Sequence, residues 1–143
     1  MVSHPAKPRL QNAASEPQTL RTARGVVALV RDDGSTICER CVVADRMLAR
    51  MKGLLGRTEL PPGEGLFIRP APSIHMFFMR FPIDAVFVSR EGEVLKVMAG
   101  LKPWRMSSCR RAHGVLELAA GEAARRGIAV GDRISAVEAG AAG

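Results

Sequence analysis

Tyrosine is absent from the 143-residue sequence, and aromatic residues make up only 4% of it. No hydrophobic run approaches the roughly 18 residues needed for a membrane-spanning helix, and the N-terminus has no apolar segment of the signal-peptide type. These absences argue against a protein that spans a membrane or is exported. We expect a single cytoplasmic domain with an aliphatic core, because 47% of the residues are hydrophobic.

Motifs that bind nucleotide phosphates are also missing. The glycine-containing runs at residues 53–57 (GLLGR) and 63–65 (GEG) lack the G-K-S/T of a phosphate loop and the dinucleotide fingerprint. We interpret these glycines as the end of a helix and a turn. The sequence therefore predicts no cofactor.

Cysteines are few, and their spacing leaves two interpretations open. Cys38 and Cys41 form a C-x2-C pair, and Cys109 and His113 have a C-x3-H spacing that would complete a zinc site. The first pair lies within a strand pattern, where residues i and i+3 face opposite sides unless a bulge intervenes. We therefore favour reduced structural thiols and expect no bound metal.

The charge balance is basic, with a formal net charge of +7. Such an excess is compatible with weak contact to an anionic partner, although it is also common in proteins that have none. We expect an unknown small molecule or protein as the partner.

Short β-branched and aromatic runs separated by turns predict a mainly β fold. We expect a small barrel or sandwich of about six to seven short strands with one or two short helices. The predicted helices cover residues 46–52 and 123–126, and the predicted hairpin turns cover residues 32–35 and 89–92. The predicted strands cover residues 26–30, 36–43, 66–68, 84–88, 93–98, 115–118 and 133–137.

The two ends of the chain lack any apolar periodicity. Residues 1–24 contain three prolines among scattered polar residues, which indicates a disordered leader. Residues 139–143 are rich in alanine and glycine and are expected to fray. The predicted domain therefore covers residues 25–138.

The core is expected to form around residues 72–88, which contain four of the five phenylalanines. Three polar side chains, His75, Arg80 and Asp84, are set among these apolar residues. A polar group in such a place is either hydrogen-bonded for structure or kept for chemistry. We expect Asp84 to accept backbone N–H groups or to pair with an arginine at the start of the central strand.

Residues 74–84 (IHMFFMRFPID) resemble the central motif of an uncharacterised prokaryotic family, the DUF family number 192 (UPF family 0127). The resemblance keeps motif order over residues 26–137, and it implies a small, mostly β domain without implying a reaction. The flanking motifs are residues 53–57, 60–61 and 65–67 upstream, and residues 115–118, Gly121, Gly131 and Asp132 downstream.

The candidate functional site is a cleft lined by phenylalanine and methionine. We interpret the protein as a non-enzymatic binding or accessory domain and name no catalytic residue, because the sequence has no evident nucleophile, carboxylate pair or metal set. The alternative is a small hydrolase-like enzyme that uses His75 and Asp84. Glu117 points to the opposite face from its leucine neighbours, which favours a structural role. The predicted ligand-binding residues are Arg57, His75, Phe77, Arg80, Asp84, Trp104 and Arg105.

Overall fold

The computed structural model describes residues 16–44, 59–71, 73–75 and 81–140. These residues form nine strands and one short helix. In chain order they are β1 (Gly25–Arg31), β2 (Thr36–Ala44), β3 (Glu64–Ile68), β4 (Ser73–His75), β5 (Ile83–Val88), β6 (Val94–Leu101), β7 (Met106–Ser108), β8 (Gly114–Ala119), α1 (Glu122–Arg125) and β9 (Ile134–Glu138).

Seven of the strands form one sheet, and two form a small ribbon. The strand order in the sheet is β6-β5-β8-β3-β2-β1-β9, and β4 pairs with β7 in the ribbon. All pairs are antiparallel except β2 and β3. The predicted mainly β fold of short strands is confirmed. The sheet is not closed into a barrel, because edge strands β6 and β9 do not pair along their length; the chain meets there at a bridge between Glu93 and Arg133, the residues just before the two strands.

All seven predicted strands are present, and two further strands lie where none was predicted. Strands β4 and β7 are three residues long, so they are too short for a periodic pattern to reveal. The predicted turn of helix at residues 123–126 corresponds to α1, whereas the predicted helix at residues 46–52 lies outside the described residues. At four residues, α1 falls far short of the roughly 20 that a bilayer requires, and nothing else in the described ranges is helical enough to span one.

The second predicted hairpin turn shows why one glycine is required. Gly92 has a φ of 88°, and its N–H donates to the Ser89 carbonyl at 3.0 Å. A Cβ atom on Gly92 would lie only 2.3 Å from the Ile134 carbonyl oxygen. The turn therefore depends on glycine both for its backbone conformation and for the close approach of β9.

The sheet curls around a first core, to which all seven of its strands contribute. Its largest fully buried members include Phe67, Leu29, Ile37 and Leu116. A second cluster lies on the other face of β3, β5 and β8 and includes Leu66, Ile83, Phe87 and Val115. Side chains in a strand alternate between faces, so the two clusters are separated by the sheet itself.

The segment before β1 belongs to the folded domain, which revises the predicted leader boundary. Leu20 and Ala23 are 1% and 0% exposed and pack in the first core. The Gln18 backbone exchanges two hydrogen bonds with Ala136 of β9, at 2.7 and 2.9 Å. A segment with scattered polar residues thus docks through two apolar side chains, whose spacing is too sparse to give a pattern.

We expect this docked segment to contribute measurably to stability. Removing residues 1–24 should lower the free energy of unfolding by about 2–4 kcal/mol, since it strips a buried leucine and an alanine from the core. Removing only residues 1–15, the part of the predicted leader outside the described residues, should leave the thermal midpoint unchanged. Equal midpoints for the two truncated proteins would contradict the docking.

Candidate functional site

Asp84 is fully buried, and both of its carboxylate oxygens accept backbone hydrogen bonds. Its Oδ1 accepts from the Gly100 N–H at 2.8 Å, and its Oδ2 accepts from the N–H groups of Gly121 and Ala123 at 3.0 and 2.9 Å. No arginine pairs with it among the described residues. One carboxylate therefore joins the start of β5, the end of β6 and the first turn of α1.

These bonds make Asp84 a cap for α1, supplied from another strand. The residue at the N-cap position, Gly121, has no side chain that could bind the free N–H groups of the first turn. Asp84 satisfies two donors of that turn, and its negative charge lies at the end of the helix that favours an anion. Asp84 thus supports the turn before α1, and its fully buried side chain is not exposed to solvent.

Trp104 and Arg105 lie at the surface, on the loop between β6 and β7. Trp104 is 61% exposed and has a φ of 68°, a backbone conformation that bulky residues rarely adopt. Met106, at the start of β7, is 57% exposed. Large apolar side chains exposed side by side often mark an interaction site, as does a residue held in an unfavourable conformation.

The ribbon brings the His75 position close to this surface. In the β4–β7 pairing, His75 lies opposite Met106, two residues from Trp104. Lys96 of β6 ties the ribbon to the sheet, because its ammonium group donates to the Ser108 carbonyl at 2.9 Å and lies 5.8 Å from the Phe87 ring centroid. Three predicted site positions, His75, Trp104 and Arg105, thus converge at one end of the ribbon.

Asp84, the other described residue of the predicted site, is set apart from this group. Asp84 contacts the base of the Trp104 loop only through the Gly100 N–H, four residues before the tryptophan. Arg57, Phe77 and Arg80 lie outside the described residues, so their assignment to a cleft stays a prediction.

Glu117 is a buried acid that the sequence did not mark as a candidate for the site. It is 5% exposed, and burial raises its pKa from 4.5 to about 8. It lies opposite Leu66 on β3 and Ala85 on β5, on the face of the second cluster, as its alternation with neighbouring leucines predicted. No hydrogen bond to its carboxyl group is present in the described part of the chain, and burial favours its protonated form.

The cysteine pair is placed differently from the prediction. Cys41 lies opposite Val27 and Cys38 opposite Leu29, so β2 has one extra residue there and forms a bulge. The bulge turns both side chains into the first core, where each is 0% exposed. The expectation that the two thiols point to opposite faces is therefore wrong.

The Cys41 thiol is poorly suited to react. Burial raises the pKa of the Cys41 thiol well above its usual value, and the neighbouring Cys38 thiol raises it further. Because the thiolate is the reactive form, a raised pKa suppresses both nucleophilic attack and metal binding. Cys109 packs against the second cluster, across the sheet from this pair. The arrangement keeps the Cys38–Cys41 pair away from Cys109, so the predicted spacing does not assemble a four-ligand zinc site.

Two solved structures from bacteria are similar to this chain. One is a "putative transcription regulator" from Sinorhizobium meliloti, with 25% identity and a TM-score of 0.67, covering 80% of this chain and 94% of the other. The second is a protein of unknown function from Novosphingobium aromaticivorans, with 26% identity and a TM-score of 0.65, covering 85% and 93%. None of the curated proteins matches the chain.

The model of the family DUF192, described as "Uncharacterized ACR", matches residues 28–136. This match spans the sheet from β1 to β9, together with Asp84, Glu117 and the Trp104 loop. The chain belongs to the DUF192 family, as the order of its motifs predicted.

Proposed function

We propose that this protein is a non-enzymatic binding domain whose ligand contacts the end of the β4–β7 ribbon. The observation that carries the proposal is Trp104, a large aromatic side chain that is 61% exposed at a φ of 68° beside Arg105. The indole belongs to neither of the two core clusters. An exposed aromatic ring next to a guanidinium group can stack on a planar or apolar ligand while the cation meets an anionic group.

The support beneath this loop also favours binding. Asp84 fixes the Gly100 N–H at 2.8 Å and so anchors the end of β6, from which the loop departs. Lys96 anchors β7, on the other side of the loop, through the Ser108 carbonyl. A loop held at both ends loses less entropy when a ligand binds than a free one would. The predicted contacts at Arg57, Phe77 and Arg80 would extend the same surface.

The alternative, a hydrolase that uses His75 and Asp84, receives less support. A general base must itself lie within hydrogen-bond reach of the substrate proton that it accepts. Both oxygens of Asp84 are occupied by three backbone donors, and its side chain is 0% exposed. We therefore assign Asp84 to the support of the surface and favour binding over hydrolysis.

Contact with a nucleic acid is a second candidate. Residues 94–116 carry five lysines and arginines and no aspartate or glutamate, and they include Trp104. A base can stack on an exposed indole while cations follow the backbone phosphates. The similar Sinorhizobium protein, which is described as a "putative transcription regulator", adds to this candidate, although that description applies to the Sinorhizobium protein alone.

Trp104 is the only tryptophan in the chain, so intrinsic fluorescence reports on this one surface. We expect an ultrafiltered small-molecule extract of bacterial cells to change the emission of the native protein saturably. The same extract should have no such effect on the Arg105→Ala variant. A single-stranded 20-mer DNA serves as the parallel titrant, and a response to the DNA alone would favour the second candidate. No response to either titrant would contradict a binding surface at Trp104.

A further inference from the structure

The base of the ribbon carries a group of arginines that the proposed function does not use. We call Arg21, Arg24, Arg69 and Arg90 the arginine cluster. The first two lie in the docked segment before β1, Arg69 follows β3, and Arg90 lies in the turn between β5 and β6.

Hydrogen bonds bring these three segments together around His113. The His113 N–H donates to the Val88 carbonyl at 2.8 Å, and its carbonyl accepts from the Ala71 N–H at 2.9 Å. Val88 is two residues before Arg90, and Ala71 is two residues after Arg69. The Arg69 guanidinium donates from Nη1 to the Leu20 carbonyl at 3.0 Å, next to Arg21.

The arginine cluster has no partner of opposite charge within the described ranges. Other arginines of the protein do have one: Arg31 pairs with Asp132 at 3.3 Å, and Arg126 pairs with Glu39 at 2.8 Å. Glu122 of α1 pairs with both Arg125 and Arg126. Four arginines from three segments that meet around His113, with no carboxylate paired to them in the described ranges, give a concentrated positive field at this point.

His113 lies within that field. Burial lowers its pKa, and the positive charges of Arg90, Arg69 and Arg21 lower it further. Burial also lowers the pKa of the Arg69 guanidinium, with Arg24 adding to the effect. The His113 Nε2 atom is itself shielded from solvent and has no hydrogen-bond partner among the described residues. These surroundings thus disfavour a further positive charge, and a bound anion would reduce the repulsion among the arginines.

We propose that the arginine cluster is a binding site for an oxyanion of the phosphate class. Phosphate oxygens accept two parallel bonds from a guanidinium group, and arginine is the side chain that is best matched to that geometry. Arg69 is half-buried and held in place by Leu20, so it would form the fixed part of the site. Arg21 and Arg90 are exposed and would close on the anion from two sides. This site is separate from the surface at Trp104.

The test is a titration of the full chain with sodium phosphate, against sodium chloride of equal ionic strength. We expect phosphate to bind saturably and to raise the thermal midpoint, since a ligand that binds only the native state stabilises it. The double variant Arg21→Gln/Arg90→Gln should bind phosphate about tenfold more weakly, a factor that corresponds to ~1.4 kcal/mol. Both side chains are exposed and extend away from the core, so this variant should keep the midpoint of the wild type in chloride.

Arg40→Gln is the matched control, because Arg40 is an exposed arginine on β2 outside the cluster. A single-stranded 20-mer DNA tests whether the phosphate group comes from a nucleic acid. Binding of either probe that is weakened only by the double variant supports the site and identifies its source. Equal effects of phosphate and chloride together with no binding of the DNA, or equal losses in the double variant and the Arg40→Gln control, would overturn the proposal.

Discussion

Replacing Asp84 by alanine is expected to destabilise the protein by on the order of 3 kcal/mol or more. The change removes the acceptor of three backbone N–H groups, those of Gly100, Gly121 and Ala123, at a position that is 0% exposed. A buried donor that loses its acceptor costs about 1–3 kcal/mol, and breaking a buried charged interaction costs about 3–5 kcal/mol. Urea melts of the two proteins measure the difference.

Asp84→Asn should cost less than Asp84→Ala, although it should not be neutral. An amide keeps one acceptor oxygen but points an NH₂ group at a backbone N–H on its other side. The orientation that loses the fewest hydrogen bonds points the NH₂ group of the new amide toward Gly100, so that the N–H groups of Gly121 and Ala123 keep their acceptor. The native state of this variant should then show altered Trp104 emission, because the base of the loop is released.

Asp33→Ala is the matched control for Asp84. Asp33 is an exposed aspartate whose hydrogen bonds reach only Ser35 in the same turn, at 2.6 and 2.9 Å. Its removal should change the urea midpoint little. If both Asp84 variants were as stable as the wild type while binding vanished, the residue would belong to the ligand site and its supporting role would be wrong.

Stability is expected to fall as the pH rises from about 5 to 9, and Glu117 is the cause. Its pKa is raised from 4.5 to about 8 in the folded protein. The folded state therefore keeps a proton up to about pH 8 that the unfolded chain has released above about pH 4.5, so stability declines as the pH rises between these values. The full shift corresponds to on the order of 5 kcal/mol, since one pKa unit is 1.36 kcal/mol.

Glu117→Gln tests this prediction, because glutamine has the shape of the protonated acid and does not ionise. The variant should match the wild type near pH 5 and exceed its stability by several kcal/mol at pH 9. Urea melts at pH 5, 7 and 9 measure both curves, and their difference removes the contributions of the other groups. A constant difference across this range would mean that Glu117 has an ordinary pKa.

The sheet could be predicted from the sequence because each of its strands leaves a local signal. β-branched runs such as residues 84–88 and turns such as residues 89–92 appear as patterns within a few residues. Docking of the segment around Leu20 could not be predicted, since it depends on contacts with β9, more than 100 residues away. The bulge that turns Cys38 and Cys41 to one face depends likewise on the register against β1.

The site was predicted only in part, for the same physical reason. Asp84 was recognisable as a carboxylate at a strand entrance, but its donors come from β6 and from the turn before α1. The alternation of Glu117 with two leucines predicted the face of the sheet on which its side chain lies. Its raised pKa could not be predicted, because it depends on the residues that bury that face. The arginine cluster combines three distant segments, so no local motif could have revealed it.

Native mass spectrometry of the purified full chain tests the binding function most directly. We expect the wild type to retain a co-purified small molecule, which the Trp104→Ala variant should lose. The Val130→Ala variant should keep it, because Val130 is an equally exposed apolar residue, at 65%, that lies away from the ribbon. A wild type that carries no bound molecule, or a molecule that all three proteins retain equally, would contradict a ligand surface at Trp104.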